Sequence, residues 1–190
     1  MLLLDTRAAS AQGGVQFPKG TLGLDGIVGT ALPVTWLRQH SDRRITFMIS
    51  VDAGRVMTNQ IGPGPLAGQF EFLFEITPVM TLRQPEHAFG VNASPLHMRW
   101  NFAPRRSGRL RGFAEASGGV VYTNQAVPVH ATAFNFIDQA GFGLRVKAGD
   151  KRNWVVGYRF QHISNGGRVE PNPGANFNFV YVGMGMMGRP

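Results

Sequence analysis

The segment Gly68–Met80, GQFEFLFEITPVM, alternates along its length. Phe70, Phe72, Phe74 and Ile76 fall on one parity, and Gln69, Glu71, Glu75 and Thr77 on the other. A period of two is that of a β-strand with one apolar and one polar face. The same pattern sets Ile45, Phe47, Ile49 and Val51 against Thr46, Ser50 and Asp52. It sets Phe142, Leu144 and Val146 against Gly141, Gly143, Arg145 and Lys147, and Trp154, Val156, Tyr158 and Phe160 against Gly157, Arg159 and Gln161. In HAFGVNASPLHMRWNF the parity changes: Phe89 and Val91 share a face before Ser94-Pro95, and Leu96, Met98, Trp100 and Phe102 share one after it. A one-residue slip within a strand is a β-bulge, where a proline is tolerated. With LRGFAEASGGVVY, NFNFVYVGMGMM and a less distinct first strand within Thr21 to Leu37, the pattern predicts about eight strands, the number of a small closed barrel.

Alternation alone does not say which face looks outward. A membrane barrel is apolar outside, whereas a lipocalin-like carrier is apolar inside. Three features favour the membrane: aromatics gather on the apolar parity, glycines recur on the polar parity, and the polar parity carries both signs of charge. Glu71, Glu75 and Glu115 are expected to pair inside with Arg145, Lys147 and Arg159. The fold expected is therefore all-β, an eight-stranded antiparallel up-and-down transmembrane β-barrel over residues 21–190. The soluble lipocalin-like lipid carrier is the rival.

Composition agrees with strands and turns, for charged residues make up only 16% of the chain while it holds 25 Gly and 14 Phe. The absence of cysteine excludes disulfides and thiolate metal sites. No run reaches the ~18 apolar residues of a membrane-spanning helix. The net charge of +8 favours an anionic partner, and no nucleic-acid-binding module accompanies it. Residues 1–20 read as a flexible N-terminus, with Ala9-Ser10-Ala11 after a short apolar Leu2 to Leu4 as the remnant of a truncated signal peptide. Pro104 to Arg111, with Arg105, Arg106, Arg109 and Arg111, reads as a solvated loop able to meet lipid phosphates, and GPGP at Gly62 to Pro65 as a turn. His87, His97 and His130 are scattered without ligand spacing, so no metal site and no cofactor are expected.

The chemistry concentrates in YRFQHISNGGRVEPNPGANFNF, Tyr158 to Phe179. On a strand, residues two apart point the same way about 6.6 Å from one another. His162 and Ser164 are then neighbours on one face, a base beside a hydroxyl nucleophile, as ester hydrolysis requires. They share the parity of Tyr158 and Phe160, the lipid-facing side, where a nucleophile meets acyl chains within the membrane.

YRFQHISN followed by PNPGAN resembles the lipid A deacylase family, the outer-membrane acyloxyacyl hydrolases. The likeness is sharpest over Gly157 to Gly174 and extends more loosely over Gly62 to Met187. It implies an eight-stranded barrel in the bacterial outer membrane that acts on lipid A or lipopolysaccharide, needs no cofactor, and leaves a homodimer open. By the family's pattern His162 is the general base and Ser164 the nucleophile. Asn165 and Asn172 lie near the oxyanion, with Gly174 in the same substrate-binding loop. Where the family orients its histidine with a glutamate, this chain has Asn176, fourteen residues after His162. Asparagine can hold the ring but cannot offset the imidazolium charge. Glu170 is the only acid in the intervening loop. The expected activity is carboxylic ester hydrolysis by a Ser/His mechanism, with a non-catalytic barrel that keeps the motif as the alternative.

Overall fold

The computed structural model describes residues 17–34, 45–83, 87–104, 108–129 and 131–188. Eight strands follow one another: β1 (Leu22–Pro33), β2 (Ile45–Val56), β3 (Gly68–Arg83), β4 (His87–Phe102), β5 (Leu110–Thr123), β6 (Phe134–Lys147), β7 (Arg152–Ser164) and β8 (Ala175–Gly188). Each is antiparallel to its chain neighbour, and β8 closes on β1. Closure leaves no sheet edge, so every strand has a hydrogen-bonded neighbour on both sides. The GPGP segment lies in the β2–β3 turn, where Gly64–Leu66 form a single 3-10 turn.

The apolar parity faces outward. Phe142 is 63% exposed and Phe72 41%, whereas Arg145 and Glu75 are at 0%. Ile45, Phe47, Ile49, Val51, Trp154 and Val156 share the outer wall. A lipocalin-like carrier requires the reverse, and this exposed apolar wall overturns that reading.

The interior is an ionic network centred on Arg99 of β4. Its guanidinium meets Asp25 at 2.7 Å, Glu115 at 2.9 Å and Asp52 at 3.2 Å. Arg145 pairs with Asp25 at 2.8 Å and lies 3.5 Å from Glu71. Arg159 reaches Glu115 at 2.7 Å and Asp52 at 3.4 Å, and also binds Glu75. Tyr181 Oη donates to Glu115 at 2.6 Å. Buried charges persist only when opposite charges and hydrogen bonds satisfy them. The three expected glutamates do pair with Arg145 and Arg159, but the third cation is Arg99 rather than Lys147, which lies half-buried at the end of β6.

Interior glycines make room for these side chains. A Cβ on Gly157 would meet the Tyr181 ring at 2.3 Å, and one on Gly143 the Phe113 ring at 2.3 Å. The bulge expected at Ser94-Pro95 is present: the β4–β5 register slips between Ala93 and Leu96.

One expectation is corrected. Arg111 is not in a solvated loop but at the start of β5, 1% exposed, donating to Phe102 O at 2.7 Å and Gln69 Oε1 at 2.7 Å. Arg109 is exposed, while Arg105 and Arg106 lie outside the described residues. Of residues 1–20, expected to form a flexible N-terminus, residues 17–20 are described. Phe17 is buried, Gln69 Nε2 donates to its carbonyl at 2.6 Å, and Arg111 stacks 4.7 Å above its ring. Residues 1–16, including Ala9-Ser10-Ala11, lie outside the described residues.

Candidate active site

His162 and Ser164 are the third-last and last residues of β7, at the end of the barrel opposite the buried Phe17. Both are half-buried, on the parity of the exposed Trp154 and Val156, and so on the lipid-facing wall. In the β7–β8 ladder His162 stands directly opposite Asn176. The two side chains meet: His162 Nδ1 lies 2.7 Å from Asn176 Oδ1. An amide oxygen only accepts, so Nδ1 carries the proton and Nε2 of the neutral ring keeps its lone pair. That is the tautomer a general base needs. Among the described residues Ser164 Oγ has no hydrogen-bond partner; such contacts are often loose until substrate binds.

The loop from Asn165 to Gly174 is built on Asn165. Its side chain is buried, donating through Nδ2 to Val169 O at 2.7 Å and accepting from Gly167 N–H at 2.9 Å. Its backbone N–H donates to Asn172 Oδ1 at 3.1 Å, and Arg168 Nε donates to its carbonyl at 3.0 Å. Asn165 is thus committed to the loop. Asn172 is held by its oxygen, and among the described residues its Nδ2 has no hydrogen-bond acceptor. Gly166, Gly167 and Gly174 all have positive φ, which L residues with a Cβ rarely adopt. Glu170 lies exposed in this loop, and the atom facing His162 Nδ1 belongs to Asn176.

Beside Ser164 an open groove of about 530 Å³ runs across the outer wall. Its floor is made of Ala93, Gly118 and Gly119, its sides of Phe74, Leu96 and Phe136, and Pro95 of the bulge lines it too. The bulge and the glycines hollow the wall where neighbouring stretches carry large side chains. Asp138 of β6 also lines it. In register it stands opposite His162, on the strand across from Asn176.

The model of the family described as "Lipid A 3-O-deacylase (PagL)" matches residues 90–185, just over half of the sequence. The chain belongs to this family. Its fold is similar to that of a solved structure described as the outer membrane enzyme PagL, with a TM-score of 0.63 and 17% identity over 85% of this chain and 97% of that one. Neisserial surface protein A follows with a TM-score of 0.52, 11% identity, and coverage of 87% and 95%. OprG from Pseudomonas aeruginosa has a TM-score of 0.54, 7% identity, and coverage of 94% and 100%. At these identities the structures attest the barrel alone. Among curated proteins none matches the sequence. Family, closed barrel and apolar outer wall together make this lipid A 3-O-deacylase family member an outer-membrane protein.

Two features lay beyond sequence reasoning. Asp138 was not singled out, although it follows Phe134 and Phe136 at the same parity, and an acid on an apolar face is a signal. Asp52, Glu75 and His97 bring ligand atoms within 4.8 Å of one another inside the barrel. Their spacing gives no hint of this. Arg99 and Arg159 already neutralise the two carboxylates. His130 lies outside the described residues.

Proposed function

We propose that this protein hydrolyses an ester-linked acyl chain of lipid A, with His162 and Ser164 as the catalytic pair. The observation that carries the reading is the His162–Asn176 hydrogen bond at 2.7 Å, which leaves Nε2 free on the lipid-facing wall beside Ser164. His162 Nε2 takes the Ser164 proton as Oγ attacks the ester carbonyl carbon. The resulting oxyanion collapses, the sugar alkoxide leaves with the proton from Nε2, and the acyl chain remains on Oγ. Water, deprotonated by the same nitrogen, then releases the fatty acid. In this reading the Asn172 amide donates to the oxyanion, a role supported by the hydrogen bond in which its Oδ1 accepts from Asn165 N–H. The groove takes the acyl chain, so the ester is cut without leaving the membrane plane.

The rival, a barrel that keeps the motif without activity, is favoured by Asn176 in place of the family glutamate. One experiment separates the two. The detergent-refolded protein and its Ser164→Ala variant are incubated with lipid A and the products weighed by mass spectrometry. The enzyme loses one acyl mass from lipid A, and Ser164→Ala does not while remaining a heat-modifiable barrel. An unchanged lipid A spectrum with the wild-type protein leaves the motif structural.

A further inference from the structure

We propose that Asp138 is a positioning residue that supplies, from the opposite neighbouring strand, the negative charge the orienting position lacks in this chain. The inference rests on the deacylase reading above.

His162 is bracketed in the sheet. On β8 its direct partner is Asn176, and on β6 it is Asp138. Residues directly opposite in an antiparallel pair project to the same face with Cβ atoms about 4.5–5.5 Å apart. The Asp138 carboxylate and the His162 ring therefore share one patch of the outer wall. Asn176 fixes the ring's tautomer but carries no net charge, so the imidazolium that forms as Ser164 is deprotonated gains from it an amide dipole and not a counter-ion. An ion across one strand spacing does act on that charge, the more so where lipid excludes water.

The surroundings of Asp138 point the same way. It is exposed on a wall that otherwise carries Phe134, Phe136, Phe142 and Leu144 along the same strand. Among the described residues it has no ion pair or hydrogen bond, and a carboxylate on the lipid face is unfavourable without a compensating gain. Its neighbour on β5 is Gly118, and Asp138 Oδ1 lies over it, 3.5 Å from where a Cβ would stand. Glycine offers the carboxylate neither a charge nor a side-chain hydrogen bond there. Asp138 and Ser164 also line the same groove. Glu170, the acid of the loop, is exposed, and among the described residues it has no ion pair with His162.

The test is a double-mutant cycle in the refolded protein: wild type, Asp138→Asn, Asn176→Glu and the double variant, each with kcat and KM for acyl release from lipid A. Asp138→Asn is expected to lower kcat about tenfold or more with KM unchanged, and Asp138→Glu to restore most of the rate. In the Asn176→Glu background, where a carboxylate already faces Nδ1, the same change is expected to cost less than about twofold. An equal loss in both backgrounds, or a loss confined to KM, overturns the proposal by assigning Asp138 to the substrate. No loss in the wild-type background overturns it as well. If only proteins with Asn176→Glu cleave lipid A, Asp138 does not compensate and the deacylase reading stands. If none of the four cleaves, the deacylase reading fails and this inference fails with it.

Discussion

His162 Nδ1 and Asn176 Oδ1 are 2.7 Å apart across the β7–β8 ladder, so the position that orients the base is occupied by a group that holds without charge. Asn176→Ala removes the acceptor and lets the ring choose either tautomer. The hydrogen bond is of the ordinary kind, about 1 kcal/mol, and the expected loss in kcat is roughly fivefold to tenfold. Asn176→Glu restores a carboxylate. In a Ser-His-Asp triad the change from acid to amide costs about 10⁴ in rate. Here the gain should be far smaller, because Asp138 already stands on the other side of the ring. Steady-state kinetics on lipid A check both.

Asn165 and Asn172 lie side by side in the loop yet should fail differently. Asn165 makes the bonds that shape Gly166 to Val169, so Asn165→Ala is expected to worsen kcat and KM together and to open the loop to proteolysis. Asn172 is the proposed oxyanion donor, and its truncation to Ala should lower kcat about 10²–10³-fold with little change in KM. Comparing kcat and KM for the two alanine variants, alongside limited proteolysis, decides the assignment.

How much was legible in the sequence follows from what a period of two can carry. Parity put Phe72 and Trp154 on one face, Glu75 and Arg159 on the other, and the bulge at Ser94-Pro95, because each depends only on neighbours along one strand; the mixed charges and glycines of the polar parity then set that face inside. Partners across strands were not legible. Arg99 is in a strand whose parity was read, but its role as the hub depends on Asp25, Asp52 and Glu115 arriving from three other strands. Arg111 was misplaced because Arg, Ser and Gly beside it have the composition of a turn, while its burial is set by Phe17, Gln69 and Phe102. Asp138 was passed over for the same reason: its importance lies in the register with His162, which the β6 sequence does not contain. By contrast, the placement of His162 and Ser164 on one face of β7 was readable, the two being two apart on one strand.

Arg99 binds three acids inside the barrel, and its loss leaves them facing one another. Arg99→Met keeps the volume and removes the charge. Breaking one side of a buried ionic network typically costs ~3–5 kcal/mol, more than any isolated surface pair. The heat-modifiability transition of the refolded barrel should move down accordingly. Deacylation below that temperature should be unchanged, since Arg99 lies inside the wall and Ser164 outside it.

Gly118 offers a test of the groove by chain length. Within 4 Å a Cβ at this position meets only Asp138 Oδ1, at the ordinary contact distance of 3.5 Å, so the backbone need not shift, while a larger side chain presses on that carboxylate. Gly118→Leu fills part of the groove floor and shortens the space left for an acyl chain. Each methylene displaced from an apolar contact is worth about 0.8 kcal/mol, close to fourfold in binding. The expected result is a KM that rises with chain length, steeply for long-chain lipid A and hardly at all for a short-chain ester, while any fall in kcat through Asp138 is shared by both substrates. A KM that does not depend on chain length would take the groove away from the acyl chain. Measuring kcat and KM across a series of ester chain lengths decides between these outcomes.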